Sequence, residues 1–188
     1  MMKKMAGIGF ARCYPNGEYM KDQIPIIDSD KGYVDASHIE RKKYNLNMDM
    51  CEVHRVELFK KYPFQYWESE VYAPEQLNFN QLSFDGYKLR WRNQKLYICE
   101  YLPDGQTKDD KIVKNNPMGF AMMHNQNLLI DPTFKKKCFE VIQMIALVLY
   151  AKRPSYLKQS NSKLLTILLF PIGFVFFLRR KRQYKRLT

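Results

Sequence analysis

At least 37 residues separate any two of the four cysteines, Cys13, Cys51, Cys99 and Cys138, so no close pair is present to open a zinc site. They are expected to be reduced thiols, mostly buried. The N-terminus has lysines but no apolar run of signal length, which argues against export. A reducing, cytoplasmic setting fits both absences. Acid is scarce in one region: residues 134–188 hold 13 Lys and Arg against 1 acidic residue, whereas residues 1–133 hold 18 of each sign. The net charge of +12 therefore belongs to the tail. Nucleic-acid binding ranks last among the function classes, because the basic residues adjoin an apolar run rather than forming a folded basic face.

What is present suits a folded protein. In 188 residues, 46% are hydrophobic and 14% aromatic, ample for a core. Residues 5–14 read as a strand rich in small side chains. Pro15-Asn16-Gly17 is a hairpin-type turn signal, with residues 18–27 as the expected return strand. The triplet Asp28-Ser29-Asp30 has the form of a metal-binding DxD, but Pro25 before it and Lys31-Gly32 after it favour a solvated turn. Residues 35–45 have helical spacing. Residues 50–55 read as a strand that feeds a short helix over 56–61, stopped at Tyr62-Pro63-Phe64. Residues 87–92 and 95–101 alternate and are expected to form a hairpin joined at Asn93-Gln94. In Arg90-Trp91-Arg92, that alternation puts the two arginines on one face and the tryptophan on the other.

The stretch from Trp67 to Leu82 holds three carboxylates, Glu68, Glu70 and Glu75, within eight positions. Pro74 suits the start of a helix, where a missing N–H costs nothing. Glu75 then falls in the first turn, with its ionised form favoured by the positive helix end, and Leu77, Phe79 and Leu82 face a core. Such a carboxylate can act as a general base, although acids are common in first turns for structural reasons alone. Glu68 and Glu70 are candidates to orient sugar hydroxyls, with Trp67, Tyr66 and Tyr72 as stacking faces. Equally, these are loop residues around a packed tryptophan.

Taken as an ordered set, Glu52-Val53-His54-Arg55, Leu58-Phe59-Lys60-Lys61-Tyr62-Pro63-Phe64, the loop from Glu70 to Pro74-Glu75, Leu96-Tyr97-Ile98-Cys99-Glu100-Tyr101 and Leu102-Pro103-Asp104-Gly105-Gln106-Thr107 resemble bacterial glycosyltransferases of family 2, of the capsule and exopolysaccharide group. The resemblance runs from about Gly7 to about Asn127. It implies an α/β fold that is the C-terminal part of a GT-A-like domain, a short mixed sheet with helices over residues 1–132. Long apolar and basic helices over 133–188 complete the expected fold. The resemblance also implies transfer of a sugar from a nucleotide-diphosphate donor to a glycan or lipid-linked acceptor, with a divalent metal, Mn or Mg, and one carboxylate base. Glu75 matches the base position, with proline in place of the first acid of the family's Glu-Asp pair. The acceptor hydroxyl must lose its proton as it attacks the anomeric carbon, which requires a carboxylate within hydrogen-bonding reach. His124 is where some such enzymes place a metal- or diphosphate-binding histidine, although a lone histidine among methionines is more often structural.

The family's nucleotide-binding βαβ half has no counterpart in this sequence, and Asp28 and Asp30 do not stand in the place of its DxD. The expectation is an acceptor half, from a truncated gene or a split enzyme, whose metal ligands and donor site belong to a separate half. A catalytically inactive, membrane-peripheral binding module is the competing expectation.

In the tail, residues 134–150 read as an apolar helix bounded by basic clusters. Residues 164–178 then give 15 positions without a charge, succeeded by Arg179-Arg180-Lys181-Arg182. A helical span needs about 20 residues, and Pro171 interrupts this run, so an in-plane or re-entrant anchor is expected. Leu168, Phe170, Phe174 and Phe176 would enter the membrane, and Arg179, Arg180, Lys181 and Arg182 would meet anionic headgroups on the inner face.

Overall fold

In the computed structural model, residues 4–20, 25–28, 30–47, 50–100, 111–130 and 133–186 are described. The chain is mixed α/β and divides into two units. One comprises Met1–Pro63 and Asn78–Gly105, the other Phe64–Leu77 and Gln106–Thr188. The segment 101–107, part of the family-like set, lies outside the described residues.

The first unit is built on a four-stranded mixed sheet in the order β2-β4-β1-β3. Its strands are β1 (Lys4–Cys13), β2 (Val34–Ala36), β3 (Met50–His54) and β4 (Tyr87–Ile98). β1 lies between β3, its antiparallel partner, and β4, its parallel one. Small residues are what let it sit there. A Cβ on Gly7 would run into the Val53 carbonyl oxygen, and one on Gly9 would run into the Trp91 indole. Trp91 is fully buried against Gly9, with its indole N–H donated to the Ala36 carbonyl at 2.8 Å. Around it pack Ala6, Ala36, Leu46, Met50, Leu58, Leu82 and Leu89. α1 (Val56–Lys61) comes after β3 as the sequence predicts, and the chain turns at Tyr62.

Three expectations change. The return strand over 18–27 is reduced, among the described residues, to one antiparallel bridge from Tyr19 to Cys13, because both edges of β1 are taken by β3 and β4. The helix expected over 35–45 is instead the strand β2 with a 3-10 turn, Arg41–Tyr44, after it. There the Glu40 carboxylate accepts from the Ser37 N–H and hydroxyl at 2.9 and 3.0 Å, and Asn45, at φ 52°, ends the turn. In place of the hairpin expected over 87–101 there is one continuous strand over Tyr87–Ile98. Asn93-Gln94 lacks the left-handed residues that a two-residue turn needs. A register shift falls there instead, with Gly9 opposite Trp91 and Ala11 opposite Lys95. The predicted faces of that strand hold: Arg90 pairs with Asp35 at 3.0 Å and, with Arg92, faces the Tyr33 ring.

A stack of rings closes this core beside α2 (Gln76–Phe84). His38 lies 4.1 Å from Phe79 and nearly parallel to it, His54 lies 5.0 Å from the same ring, and the two imidazole Nε2 atoms are 3.3 Å apart. One Nε2 must donate and the other accept, so the two rings cannot both be protonated while this contact is kept. Burial above all, with charge from His54 and Arg41, pushes His38 down to about 2; burial pushes His54 down to about 4.

The second unit contains α3 (Lys111–Asn115), α4 (Pro117–Asn127), α5 (Phe134–Tyr150), a 3-10 turn (Pro154–Gln159) and α6 (Lys163–Lys185). The inner face of α5 is its spine: Met144, Leu147 and Val148 meet Met118, Ala121 and Tyr156, while Val141 and Ile145 meet Leu128, Leu165 and Leu169. α6 runs unbroken through Pro171, contrary to the expected interruption. The lost hydrogen bond is offset by close packing two residues on, where a Cβ on Gly173 would come within 2.6 Å of Ile145. Among the described residues, no helix is long and apolar enough to cross a membrane.

Two outcomes test this core. Gly9→Ala should lower the urea midpoint by an amount equivalent to about 1–3 kcal/mol, since the indole beneath it has no room to retreat. The histidine pair makes stability pH-dependent. Both groups titrate near 6.5 when unfolded and far lower when folded, so the unfolded chain takes up protons first as pH falls. Their contribution is complete well above about pH 6.5 and is lost on acidification toward about pH 4. Unfolding midpoints should therefore fall between about pH 7.5 and about pH 5, with a shallower slope in His54→Gln.

Candidate functional site

Within the second unit, the loop before α2 is bound to the start of α4 by a short set of polar contacts. A helix N-terminus leaves its first amides without partners. Here the Glu70 carboxylate takes two of them, accepting from the Met118 N–H at 2.6 Å and the Gly119 N–H at 2.7 Å. Burial pushes the Glu70 pKa up, while the two amide hydrogen bonds pull it back. The Asn116 side chain completes the joint: its Oδ1 accepts from the Val71 and Tyr72 N–H groups at 3.1 and 3.0 Å, and its Nδ2 donates to the Ile112 carbonyl at 2.9 Å. Pro117 opens α4 at a position that needs no N–H. Gly119 lets the loop come close, since a Cβ there would stand 3.1 Å from the Tyr72 carbonyl oxygen and 3.2 Å from the Ala73 Cα.

The same joint positions Tyr72 and Glu75. Tyr72 stacks on Phe120 at 6.0 Å, and its phenol is held above its usual value by burial and then by the charge of the nearby Glu75. Glu75 is exposed and stands immediately before α2, one residue ahead of the expected first-turn position. The Pro74 carbonyl accepts from the Leu77 N–H at 3.0 Å and starts the helix, and the Gln126 side chain of α4 donates to the Leu77 carbonyl at 3.0 Å. Leu77, Phe79 and Leu82 are buried as predicted.

Trp67 and Glu68 lie elsewhere on the same loop. With Tyr66, Ser69 and Arg153 they line an open cavity of about 410 Å³. Trp67 is half-buried and meets Tyr156 edge-on at 5.9 Å. The sequence candidates thus separate into three groups: Trp67 and Glu68 at a cavity, Tyr72 and Glu75 side by side, and Glu70 with both oxygens engaged by backbone amides.

The metal candidates do not assemble. His124, in the last turn of α4, contacts Glu140, the single acid of the tail, with Nδ1 2.5 Å from Oε2. Asp28 forms a turn of its own, accepting from the Asp30 and Lys31 N–H groups and pairing with the Lys31 ammonium at 3.0 Å. Its pKa is lowered first by that ammonium. Among the described residues, no three metal-ligating side chains converge. Cys13 is buried, the other three thiols are half-buried, and none of the four forms a disulfide.

Compared with known proteins, the chain matches no family model, no curated protein and no solved structure.

The joint predicts its own sensitivity. Glu70→Ala leaves two buried amides without a partner and should cost about 1–3 kcal/mol in urea unfolding. Glu70→Gln, which keeps one acceptor, should cost less. No measurable cost in Glu70→Ala would show that the carboxylate contacts contribute little.

Proposed function

We propose that this chain is the acceptor-side portion of a GT-A-type, family 2-like glycosyltransferase that acts in bacterial surface polysaccharide synthesis at the inner face of the membrane. Glu75 is the general base that takes the proton from the acceptor hydroxyl. The observation that supports this reading most is the anchored loop, which presents an exposed carboxylate beside a tyrosine within a run of aromatic and acidic side chains. A base must be held near its proton, and a loop fixed at Glu70 and Asn116 meets that requirement better than a free one. The donor is a nucleotide-diphosphate sugar and the divalent metal is Mn or Mg, both held by residues of a donor-binding half.

The tail supports attachment to the membrane. Leu164, Ile167, Leu168 and Val175 of α6 are each more than 60% exposed, and Phe170, Phe174 and Phe176 are exposed as well. A contiguous apolar face of this kind marks an interaction surface. Arg179, Lys181 and Arg182 come after it in solvent, whereas Arg180 is turned back toward Gln143. On an anionic leaflet each free cation adds roughly 1 kcal/mol. This surface also suits the second reading, a peripheral module that binds acceptor or membrane without turnover.

Two experiments separate these readings. In an assay that supplies the donor-binding half, Glu75→Gln should reduce transfer at least about a hundredfold while acceptor binding is kept; unchanged transfer removes Glu75 from the mechanism. The full-length chain should float with vesicles containing anionic lipid, and Ile167→Asp with Leu168→Asp should release it. Flotation with no transfer under any donor would favour the module without turnover.

A further inference from the structure

We propose that the cavity lined by Tyr66, Trp67, Glu68, Ser69 and Arg153 binds a sugar ring that bears an anionic group, with the Arg153 guanidinium on the anion. The inference deepens the acceptor-side reading and rests on it for the identification of the cavity as an acceptor subsite.

The cavity, at about 410 Å³, is of the size that small-molecule sites have, roughly 300–1,000 Å³. Its tryptophan and the backbone on both sides are held by contacts of their own. The Trp67 ring is held edge-on to Tyr156, itself buried in the α4–α5 core. Tyr156 belongs to the 3-10 turn that starts directly after Arg153, and its N–H donates to the Arg153 carbonyl at 3.0 Å. The end of that turn is held by Asn125, buried in α4, whose side chain donates to the Gln159 carbonyl at 3.0 Å and accepts from the Asn161 N–H at 2.8 Å. On the other side, the Glu70 N–H donates to the Trp67 carbonyl at 2.8 Å, which closes the loop into a turn at Glu68-Ser69.

The groups on these walls are complementary to one kind of ligand. Tyr66, which is 70% exposed, and half-buried Trp67 offer ring faces for the C–H side of a pyranose. The Glu68 carboxylate accepts from ring hydroxyls, and the Ser69 hydroxyl can both accept and donate. Among the described residues, neither Glu68 nor Arg153 forms an ion pair, with the other or with any third group, although both line one cavity and both are exposed. A neutral sugar would satisfy the aromatic faces and Glu68 but offer the guanidinium only neutral acceptors. A carboxylate or phosphate substituent meets its planar fork in two parallel hydrogen bonds. A uronate and a sugar phosphate share this chemistry.

The test is a ¹H–¹⁵N correlation titration of the full chain, read at the two tryptophan indole signals. Trp91 is buried, with its N–H donated to Ala36, so its signal serves as an internal reference, and Trp67→Phe identifies the other. Glucuronate should shift the Trp67 indole saturably, with an affinity about tenfold or more above that of glucose. Arg153→Gln should remove that difference by weakening glucuronate binding to about the level of glucose. Glucose 1-phosphate in place of glucuronate distinguishes the two sources of the anion, and whichever binds more tightly names the substituent. Glucose binding as tightly as both acids, or an Arg153→Gln variant that keeps full discrimination, would overturn the assignment. So would a Trp67 signal that none of the three sugars moves. Because the signal reports binding and not transfer, a chain that transfers sugar yet fails this titration would lose the subsite and keep the function; the converse result would keep the subsite.

Discussion

One carboxylate against two backbone amides sets the arrangement of the loop that carries Trp67, Tyr72 and Glu75 in the second unit. The start of α4 offers amides that have no helical partners, and Glu70 supplies an acceptor for two of them from 48 and 49 residues away in sequence. With Asn116 taking two amides of the loop in return, a segment free of regular structure is tied down at both its charge and its backbone. That joint lies between the cavity wall at Trp67 and Glu75, just before α2, and it adds to the contacts that Tyr156 makes with Trp67 and Gln126 with Leu77. The cost is a half-buried carboxylate whose burial raises its pKa and which the helix-end amides compensate in part.

The sequence reading succeeded where local pattern decides the outcome. β3 and α1, the burial of Leu77, Phe79 and Leu82, the turn at Asp28, and the opposite faces of Arg90 and Trp91 all come from alternation, helical spacing and turn residues. It failed where partners are distant. Asn93-Gln94 looked like a turn because the strand β1 that pairs on past it lies some eighty residues earlier. Residues 35–45 have helical spacing, yet Ser37 and Glu40 use their polar groups on each other and leave only a 3-10 turn. Pro171 looked like a break because nothing local announces that Gly173 will lie against Ile145.

The candidate site was legible in its residues and not in its grouping. Glu68, Glu70 and Glu75 read as three similar carboxylates, and the structure gives each a different surrounding: an open cavity, two helix amides, and a neighbouring tyrosine. What was missed is the run Asn116-Pro117-Met118-Gly119. Its signal was present in part, since proline after asparagine is a helix-start pattern, but nothing in spacing says that a distant glutamate will occupy that start. Arg153 was read only as the end of a basic boundary to α5, and its place at the Trp67 cavity depends on the turn that Asn125 holds.

Amide hydrogen exchange on the full-length chain, alone and with acidic oligosaccharides from bacterial surface polysaccharide, tests the central claim that the loop is a preformed acceptor platform. The account predicts slow exchange of the Val71, Tyr72, Met118 and Gly119 amides in the free chain, and further protection confined to residues 64–77, the start of α4 and the turn at Arg153 when glycan is added. Exchange at those four amides as fast as in an unfolded chain, or glycan protection that falls elsewhere, would contradict it.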